Sequence, residues 1–409
     1  MTTAAVSPTA GQAASTSRVV SIDIFRGVTM AVMIFVNEVA EVRGLPWWTN
    51  HAHAWEDRMT YVDMVFPFFL FAAGLSMPLA ISQRLKRNPS TFALCLHIVT
   101  RALGLLVLGF ILANAEKADP AKMPLSGALW ALLGLICMML YLNVYPRWER
   151  FPAYATVLRT IGLAGAAVLL ALFRRTTHSG QTVWLDPSYP EILGLIGYTY
   201  LAVGFLYLLT RRWKGAPALW FVLLVALCAC STARLLVFPN RTPLYFWPFG
   251  NGAMACIMMA GVVTSILFLG TGKRPSPRFS LTMAAGFALL TLIAGAVLTP
   301  LGISKIRATP TWSLYSVGAA VLLFMGLFWL CDLKHHTGWT FPVRSAGSNT
   351  LLTYLLPDLW YFFFASAGVT FFDSHWNTGA PGVIKSLVFT AIILALSLLL
   401  TRFRVRLQL

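Results

Sequence analysis

The sequence is poor in charged residues, which make up 11% of its 409 positions against 58% for hydrophobic ones, and only 14 residues are acidic. Soluble domains carry about 25% charged residues, so this composition excludes an ordinary water-soluble protein. The mean hydropathy of +0.72 points the same way. The segments between apolar runs are too short to fold alone, so we expect one polytopic membrane domain.

The six cysteines are also few, and no two of them form a C-x-x-C pair. This pattern excludes a disulfide framework and the common zinc-binding motifs. All six lie in apolar segments, where a thiol usually serves as a small packing residue. They are Cys95, Cys137, Cys228, Cys230, Cys256 and Cys331.

Apolar runs of roughly 20 residues, long enough for a helix to cross the hydrocarbon core, recur along the chain. They predict an all-α polytopic integral membrane helical bundle of about twelve transmembrane helices, with ten or eleven as alternatives because short runs are ambiguous. We expect residues 1–20 to be a disordered cytoplasmic tail, 21–401 a single transmembrane domain and 402–409 a basic cytoplasmic tail. The predicted spans are Ile22–Ala40, Met59–Ile81, Phe92–Ala113, Leu125–Tyr145, Val157–Phe173, Ile192–Leu209, Ala218–Phe238, Phe249–Leu269, Leu281–Leu298, Trp312–Cys331, Ser348–Phe364 and Val383–Leu400.

The net charge of +17 suggests nucleic-acid binding at first sight, but its distribution has a simpler explanation. When the connections are assigned alternately to two sides, one side holds 20 of the 31 basic residues and three of the 14 acids. The whole excess charge therefore lies on one side. The positive-inside rule makes that side cytoplasmic and predicts that both termini are cytoplasmic. We therefore expect the protein to reside in a lipid bilayer and not to bind nucleic acid.

Ionisable side chains at membrane depth are costly, and by default they are functional candidates. Asp23 and Arg26 lie three residues apart on one face of the first helix, where they can form an ion pair. The pair can be structural, or Arg26 can meet an anionic ligand from the cytoplasm while Asp23 orients it. Asn37 follows about 16 Å further along the helix. Its amide can cap a helix contact or bind a carbonyl oxygen.

The connection before the second helix gathers titratable side chains. His51 and His53 face the same way in an extended chain, and a neutral imidazole is a suitable general base near neutral pH. A metal site completed by Glu56 and Asp57, or a plain solvated loop, are the alternatives. Asp63, at the mouth of the second helix, can cap that helix or orient a histidine.

Two later segments bring further polar residues to helix boundaries, and together with the first two helices they predict a polar path through the bundle. Gly302–Ser316 carries Lys305 and Arg307. Arg344–Asp358 carries Arg344, Asn349, Tyr354 and Asp358.

Several stretches resemble the transmembrane acetyltransferase family typified by the lysosomal heparan-α-glucosaminide N-acetyltransferase, which has bacterial NagX-type relatives. They read SIDIFRGVTMAVMIFVNE, WWTNHAHAW with MTYVDMVFPFFLFAAGLSM, GISK with WSLYS, and AGSNTLLTYL. The resemblance is strong in the first two helices, moderate in the last three and poor over about Leu125–Phe238. It implies that 21–401 is a transmembrane acyltransferase domain in the bacterial cytoplasmic membrane.

The resemblance implies an acetyl-CoA-dependent N-acetyltransferase that acetylates a glucosamine-type amino sugar on the far side of the membrane, without a metal. Homodimers occur in the family. The family's asparagine corresponds to Asn37. Its catalytic histidine corresponds to His51 by the pattern W-x-x-x-H-A, which we favour, or to His53 by counting back from Asp63. Donor-binding roles are expected for Arg26, Asp23, Lys305, Asn349 and Arg344.

Other mechanisms and functions stay open at this point. The histidine can act as a general base in direct transfer, or it can carry the acetyl group itself in a two-step route. A bundle of about twelve helices with polar residues also suits a sugar permease for N-acetylglucosamine, although the sequence shows no inverted repeat. A hydroxyl acceptor would instead make the protein an O-acyltransferase of envelope glycans.

Overall fold

The computed structural model describes residues 19–146, 153–236, 250–270, 275–369, 371 and 375–408, and these residues are mostly helical. The two described strands, β1, Arg175–Thr176, and β2, Thr182–Val183, form one small antiparallel pair. The all-α prediction is confirmed. The α-helices are α1 Val20–Val39, α2 Val65–Arg87, α3 Thr91–Asn114, α4 Gly127–Leu142, α5 Tyr154–Leu172, α6 Glu191–Thr210, α7 Ala216–Thr232, α8 Ala253–Leu269, α9 Pro277–Val297, α10 Pro310–Leu327, α11 Phe341–Ser348, α12 Thr350–Ser366 and α13 Gly379–Arg402.

By length and composition, eight helices in the described ranges can cross a membrane, as expected of a polytopic helical protein. Every predicted span overlaps an α-helix in the described residues, but the count of twelve spans and the cytoplasmic orientation stay predictions. The tail up to residue 18 and the connection from 239 to 248 lie outside the described residues. The eight are Val20–Val39, Val62–Arg87, Thr91–Lys117, Tyr154–Leu172, Glu191–Thr210, Pro277–Val297, Pro310–Leu333 and Gly379–Arg402.

Glycines let the central helices α2 and α8 approach each other closely. A Cβ atom at Gly74 of α2 would lie 1.8 Å from the backbone oxygen of Met258 in α8. One at Gly261 of α8 would lie 2.1 Å from the backbone oxygen of Phe71. Helices in a membrane associate through packing and hydrogen bonds rather than by expelling water, so these two glycines set the distance between the helices.

Helices α1 and α2 run antiparallel. The Arg26 guanidinium in α1 donates to Ser76 Oγ in α2. Further along α1, Val36 belongs to the same buried apolar cluster as Val65, the first residue of α2. The end of α1 and the start of α2 therefore lie at one end of the bundle, which we call the Asp63 end.

The opposite end of α1 is capped by a side chain from another helix. The Asp332 carboxylate, just beyond α10, accepts hydrogen bonds from the backbone N–H groups of Val20 and Ser21, each at 3.0 Å. These are two of the N–H groups that a helix start leaves without intrahelical partners. A carboxylate also suits the positive helix N-terminus. We call this the Asp332 end of the bundle.

Candidate active site

His51 and Asp63 form a close pair where the chain enters α2. Asp63 lies in a short 3₁₀ turn, Val62–Met64, that leads into the helix. His51 Nδ1 lies 2.7 Å from Asp63 Oδ1. The Asp63 side chain is 1% exposed, whereas that of His51 is 40% exposed. One partner is therefore fixed within the protein and the other is open to a ligand.

Backbone and side-chain donors hold Asp63 in place. Its Oδ2 accepts hydrogen bonds from the backbone N–H groups of Thr60, at 3.0 Å, and Ala52, at 3.3 Å. Its backbone oxygen accepts the indole N–H of Trp312 at 3.0 Å. Trp312 is the third residue of α10 and is fully buried. Since these contacts fix the carboxylate, the carboxylate in turn fixes the orientation of the His51 ring.

The pair with Asp63 also determines which ring nitrogen of His51 is available. A carboxylate only accepts hydrogen bonds, so the Nδ1 of His51 carries the proton that joins them. In the neutral ring, Nε2 then carries the lone pair that can accept a proton. This is the arrangement in which a buried carboxylate orients a histidine that works as a general base.

Lys305 approaches the same imidazole from the connection between α9 and α10. Its Nζ lies 3.3 Å from Nε2 and 3.4 Å from Nδ1 of His51. Burial lowers the pKa of Lys305, while the carboxylates of Asp63 and Glu191 oppose that shift. The ammonium group thus lies beside the basic nitrogen of His51, where it can stabilise a negative charge that develops there.

His53 takes no part in this arrangement. Its ring stacks on Trp55, with 4.4 Å between the ring centroids and 5° between the planes. Its backbone N–H donates to Glu56 Oε2 at 3.0 Å. The Glu56 carboxylate also pairs with Arg58 at 2.6 Å. The structure therefore brings His51, and not His53, to the buried aspartate.

The second acid of the proposed metal site, Asp57, has a cationic partner as well. It pairs with Arg307, and this hydrogen bond holds the pKa of Asp57 below its usual range. Gly302 makes room for the pair: its φ of +84° is left-handed, and a Cβ there would lie 2.7 Å from Asp57 Oδ1. Glu56 and Asp57 thus each pair with an arginine instead of joining His51 in a metal site.

Asn37 lies at the same depth as the start of α2. Arg26 contacts Ser76, and eleven residues further along α1 lead to Asn37, while eleven residues back along the antiparallel α2 lead to Val65. At about 1.5 Å per residue, both lie about 16 Å from the Arg26 level. Asn37 is exposed, and among the described residues its amide has no hydrogen-bond partner. The amide is therefore available to a ligand at the Asp63 end.

Asp23 and Arg26 form the predicted ion pair near the start of α1. Arg26 Nη1 lies 3.7 Å from Asp23 Oδ1, and the two side chains are 27% and 11% exposed respectively. The Ser76 hydroxyl that accepts from Arg26 donates in turn to the backbone oxygen of Ala72 at 2.7 Å. The pair is thus built into the contact between α1 and α2, with a cationic side chain that keeps some exposure.

The two remaining predicted donor-binding residues join neither cluster. Asn349 is 3% exposed, and its amide donates to Thr401 Oγ1 at 3.0 Å and to the backbone oxygen of Val405 at 2.8 Å. Its side-chain oxygen accepts from the backbone N–H of Leu407 at 3.2 Å. Asn349 therefore anchors the C-terminal segment. Arg344 is exposed on α11.

Sequence reasoning missed Glu191, the first residue of α6. The Tyr354 hydroxyl donates to its Oε2 at 3.1 Å, and its carboxylate interacts electrostatically with Lys305. Its φ of 57° is left-handed, which is costly outside glycine and is frequent at functional sites. The sequence feature that could have identified Glu191 is an acidic residue directly after Pro190, at the start of an apolar run. Glu191 extends the polar cluster inward from the histidine.

Most of these residues lie in a stretch that matches a known protein family. Residues 18–262 match a family described as a domain of unknown function, DUF5009. This stretch is more than half of the chain and contains His51, Asp63 and Asn37. The chain belongs to the DUF5009 family. Lys305, which contacts His51, lies beyond the matched residues of this DUF5009 protein.

Two curated relatives are similar to a shorter part of the DUF5009 chain. The human heparan-alpha-glucosaminide N-acetyltransferase is 37% identical over 97 residues, which are 24% of this chain and 14% of the human protein. The mouse protein of the same name is 35% identical over 100 residues, again 24% of this chain and 14% of that protein. The similarity covers a small part of these relatives, and it supports a relation to their family.

Proposed function

We propose that this chain is a membrane acetyltransferase that moves an acetyl group from acetyl-CoA to the amine of an amino sugar. The donor arrives at the Asp332 end, which the positive-inside rule makes cytoplasmic. The amine is acetylated at the Asp63 end, with His51 as general base. The 2.7 Å contact between His51 and the buried Asp63 is the observation that carries the proposal. Similarity to N-acetyltransferases supports the reaction class.

In this reaction the amine nitrogen of the acceptor attacks the carbonyl carbon of the thioester. A C–N bond forms, the amine gives a proton to His51 Nε2, and the carbonyl oxygen becomes the oxyanion of a tetrahedral intermediate. The intermediate then collapses: the C–S bond breaks, and the coenzyme A thiolate leaves and takes the proton from His51. Asp63 stays ionised throughout and stabilises the transient imidazolium.

Two side chains suit the oxyanion. The Lys305 ammonium lies 3.3 Å from His51 Nε2, so a carbonyl group attacked beside that nitrogen lies next to a positive charge. The Asn37 amide lies at the depth of the start of α2 and supplies a neutral N–H donor. Removal of a single such donor typically lowers kcat by about 100- to 1,000-fold. We assign Lys305 to the acetyl end of the donor, not to its phosphates.

The phosphates of the donor require a cation near the other end of α1. Arg26 is that cation in our proposal, because guanidinium groups bind phosphate with paired hydrogen bonds. It lies about 16 Å along α1 from Asn37. The pantetheine arm of coenzyme A is of the order of this distance. A nucleotide near Arg26 can therefore present its thioester beneath His51. We place this arrangement in the bacterial cytoplasmic membrane.

The direct test uses purified full-length protein in detergent with acetyl-CoA and glucosamine. Release of free coenzyme A thiol is followed with a thiol reagent, and N-acetylglucosamine is identified by mass spectrometry. We expect thiol release that depends on glucosamine and equals the N-acetylglucosamine formed. Absence of glucosamine-dependent thiol release in folded, monodisperse protein contradicts the proposal.

Two controls separate the alternative functions. N-acetylglucosamine offers hydroxyls but no free amine, so acetylation of this sugar would indicate an O-acyltransferase. Proteoliposomes that accumulate radiolabelled sugar without acetyl-CoA would indicate a permease. We expect neither O-acetylated product nor flux that is independent of acetyl-CoA.

A further inference from the structure

A polar groove lies beside the short helix α11, away from the candidate active site, and has a volume of about 460 Å³. One wall is apolar and comes from Leu398 of α13. The other side carries a guanidinium group and four hydroxyl groups, from Arg344, Thr337, Thr340, Ser345 and Ser348. Two of these hydroxyls already donate to backbone oxygens, Thr340 to Thr337 at 2.7 Å and Ser348 to Ser345 at 2.9 Å. The groove thus combines a cation, the hydroxyl groups of Thr337 and Ser345 and an aliphatic surface.

The groove lies on the face of α11 that points away from α1. The opposite face, with Val343 and Gly347, packs directly on the α1 backbone: a Cβ at Gly27 would lie 2.0 Å from the Val343 backbone oxygen. At about 100° per residue, Arg344 and Ser345 are turned away from that contact. The tight contact between α11 and α1 therefore separates the groove from the interior of the bundle near Asp23 and Arg26.

The groove contains polar groups that the described part of the chain leaves without partners. Arg344 is exposed and makes no hydrogen bond or ion pair with the described residues. The Ser345 hydroxyl oxygen is buried and has no hydrogen-bond partner there. A buried polar group without a partner is destabilising, and it indicates that something else satisfies it. A guanidinium together with hydroxyl donors is the chemistry that binds a phosphate group.

The surroundings of the groove resemble a membrane–water interface. From Leu333 to Pro357 the sequence contains no acidic residue. Phe341 lines the groove and is 61% exposed, and Trp339, two residues before it, is 47% exposed. Exposed aromatic rings are typical of the headgroup level of a bilayer. Basic pockets between helices on the cytoplasmic side are typical of sites for anionic lipid headgroups.

We propose that this groove binds the phosphate of an anionic phospholipid, with Arg344 as the cation, the hydroxyl groups of Thr337 and Ser345 as donors and Leu398 against the acyl chain. A nucleotide phosphate shares this chemistry. The lipid is favoured because the groove opens away from α1 and because Phe341, which lines it, is exposed, as is the nearby Trp339. The proposal goes beyond acetyl transfer and does not depend on it.

The test is native mass spectrometry of the full-length protein, released from detergent in the presence of phosphatidylglycerol or phosphatidylcholine. We expect the wild type to retain phosphatidylglycerol preferentially. Arg344→Gln should weaken this retention about tenfold, in line with the loss of a charge-assisted hydrogen bond. Arg87→Gln, the same change at an exposed arginine that ends α2, is the matched control and should retain the lipid. Leu398→Trp fills the groove without a change of charge and should also lower retention.

The outcomes distinguish the sources of phosphate. Displacement of phosphatidylglycerol by coenzyme A, or lower binding of acetyl-CoA to Arg344→Gln with unchanged lipid retention, would assign the groove to the donor and overturn the proposal. Equal lipid retention by wild type, Arg344→Gln and Leu398→Trp would also overturn it. Equal losses in Arg344→Gln and Arg87→Gln would show a general charge effect and likewise refute a specific site.

Discussion

His51 Nδ1 lies 2.7 Å from the Oδ1 of Asp63, which is buried against the start of α2. The contact ties a half-exposed ring to a buried carboxylate that also accepts backbone hydrogen bonds from Thr60 and Ala52. It also distinguishes His51 from His53, two positions further along the sequence, because the His53 ring stacks on Trp55 instead.

The two histidines make a matched pair of variants. His51→Ala should lower kcat by on the order of 100- to 10,000-fold, as expected when a general base is lost. His53→Ala should lower kcat less than twofold, because its ring stacks on Trp55 and does not pair with Asp63. The measurement is coenzyme A release with glucosamine at saturating donor. Loss of activity in His53→Ala with full activity in His51→Ala would reverse the assignment.

Asp63→Asn tests whether the carboxylate positions the base. The amide keeps the size of the side chain, but it removes the negative charge that holds the Nδ1 proton of His51. We expect kcat to fall about 100-fold or more. We also expect the acidic limb of the pH profile to move to lower pH, since the imidazolium that forms during transfer loses its ionic partner. A lower kcat with an unchanged profile would indicate a structural role alone.

Lys305 gives a prediction on the alkaline side of the pH profile. Burial lowers its pKa, so its ammonium charge is lost at a lower pH than that of an exposed lysine. If this charge stabilises the oxyanion, kcat/KM should fall as pH rises through the lowered pKa. Lys305→Arg should move that limb upward, because a guanidinium stays protonated. Lys305→Met should lower kcat at every pH.

The same shift in the pKa of Lys305 predicts a pH dependence of stability. Between the lowered pKa in the folded chain and the ordinary value in the unfolded chain, the unfolded chain binds more protons at this site. The free energy of unfolding should therefore rise with pH across that window in the wild type relative to Lys305→Met. Thermal unfolding in detergent at several pH values measures this dependence of stability on pH.

If Lys305→Arg leaves the alkaline limb of the kcat/KM profile unmoved, Lys305 takes no part in the reaction.

The helices could be predicted from sequence far better than the site. Each predicted apolar run is a helix, because the length and hydropathy of a run are local properties. One helix, α11, does not correspond to a predicted apolar run of its own: its sequence FPVRSAGS is short and rich in residues that favour turns. It was not predicted, and its helical form accompanies close packing of Gly347 on α1, which no local pattern encodes.

The site depends on contacts between distant parts of the chain. Lys305 and His51 are 254 residues apart, and Trp312 and Asp63 are 249 apart. Sequence patterns placed Lys305 and Asp63 at helix boundaries and His51 in the connection before the second helix, but they did not determine which of these residues meet. Asn349 is a predicted site residue that does not join the site. It was predicted to bind the donor, but its amide donates hydrogen bonds to the C-terminal segment instead.

Asn37→Ala tests the neutral donor at the oxyanion. The amide has no hydrogen-bond partner among the described residues, so its removal should leave the fold and the affinity for acetyl-CoA unchanged. We expect kcat to fall about 100- to 1,000-fold. Asn50→Ala, in the connection that carries His51, is the matched control and should keep full activity. A raised KM with unchanged kcat would mean that Asn37 binds substrate and does not stabilise the transition state.

Arg26 tests where the phosphates of the donor bind. Arg26→Gln should weaken acetyl-CoA binding about tenfold, as expected for the loss of a charge-assisted hydrogen bond to phosphate. Asp23→Asn breaks the same 3.7 Å ion pair from its other side and leaves the cation in place. It should therefore retain most of the affinity, and isothermal titration calorimetry measures both variants. Equal losses in the two variants would return Arg26 to a structural ion pair, and the donor's phosphates would then need another cation at the Asp332 end.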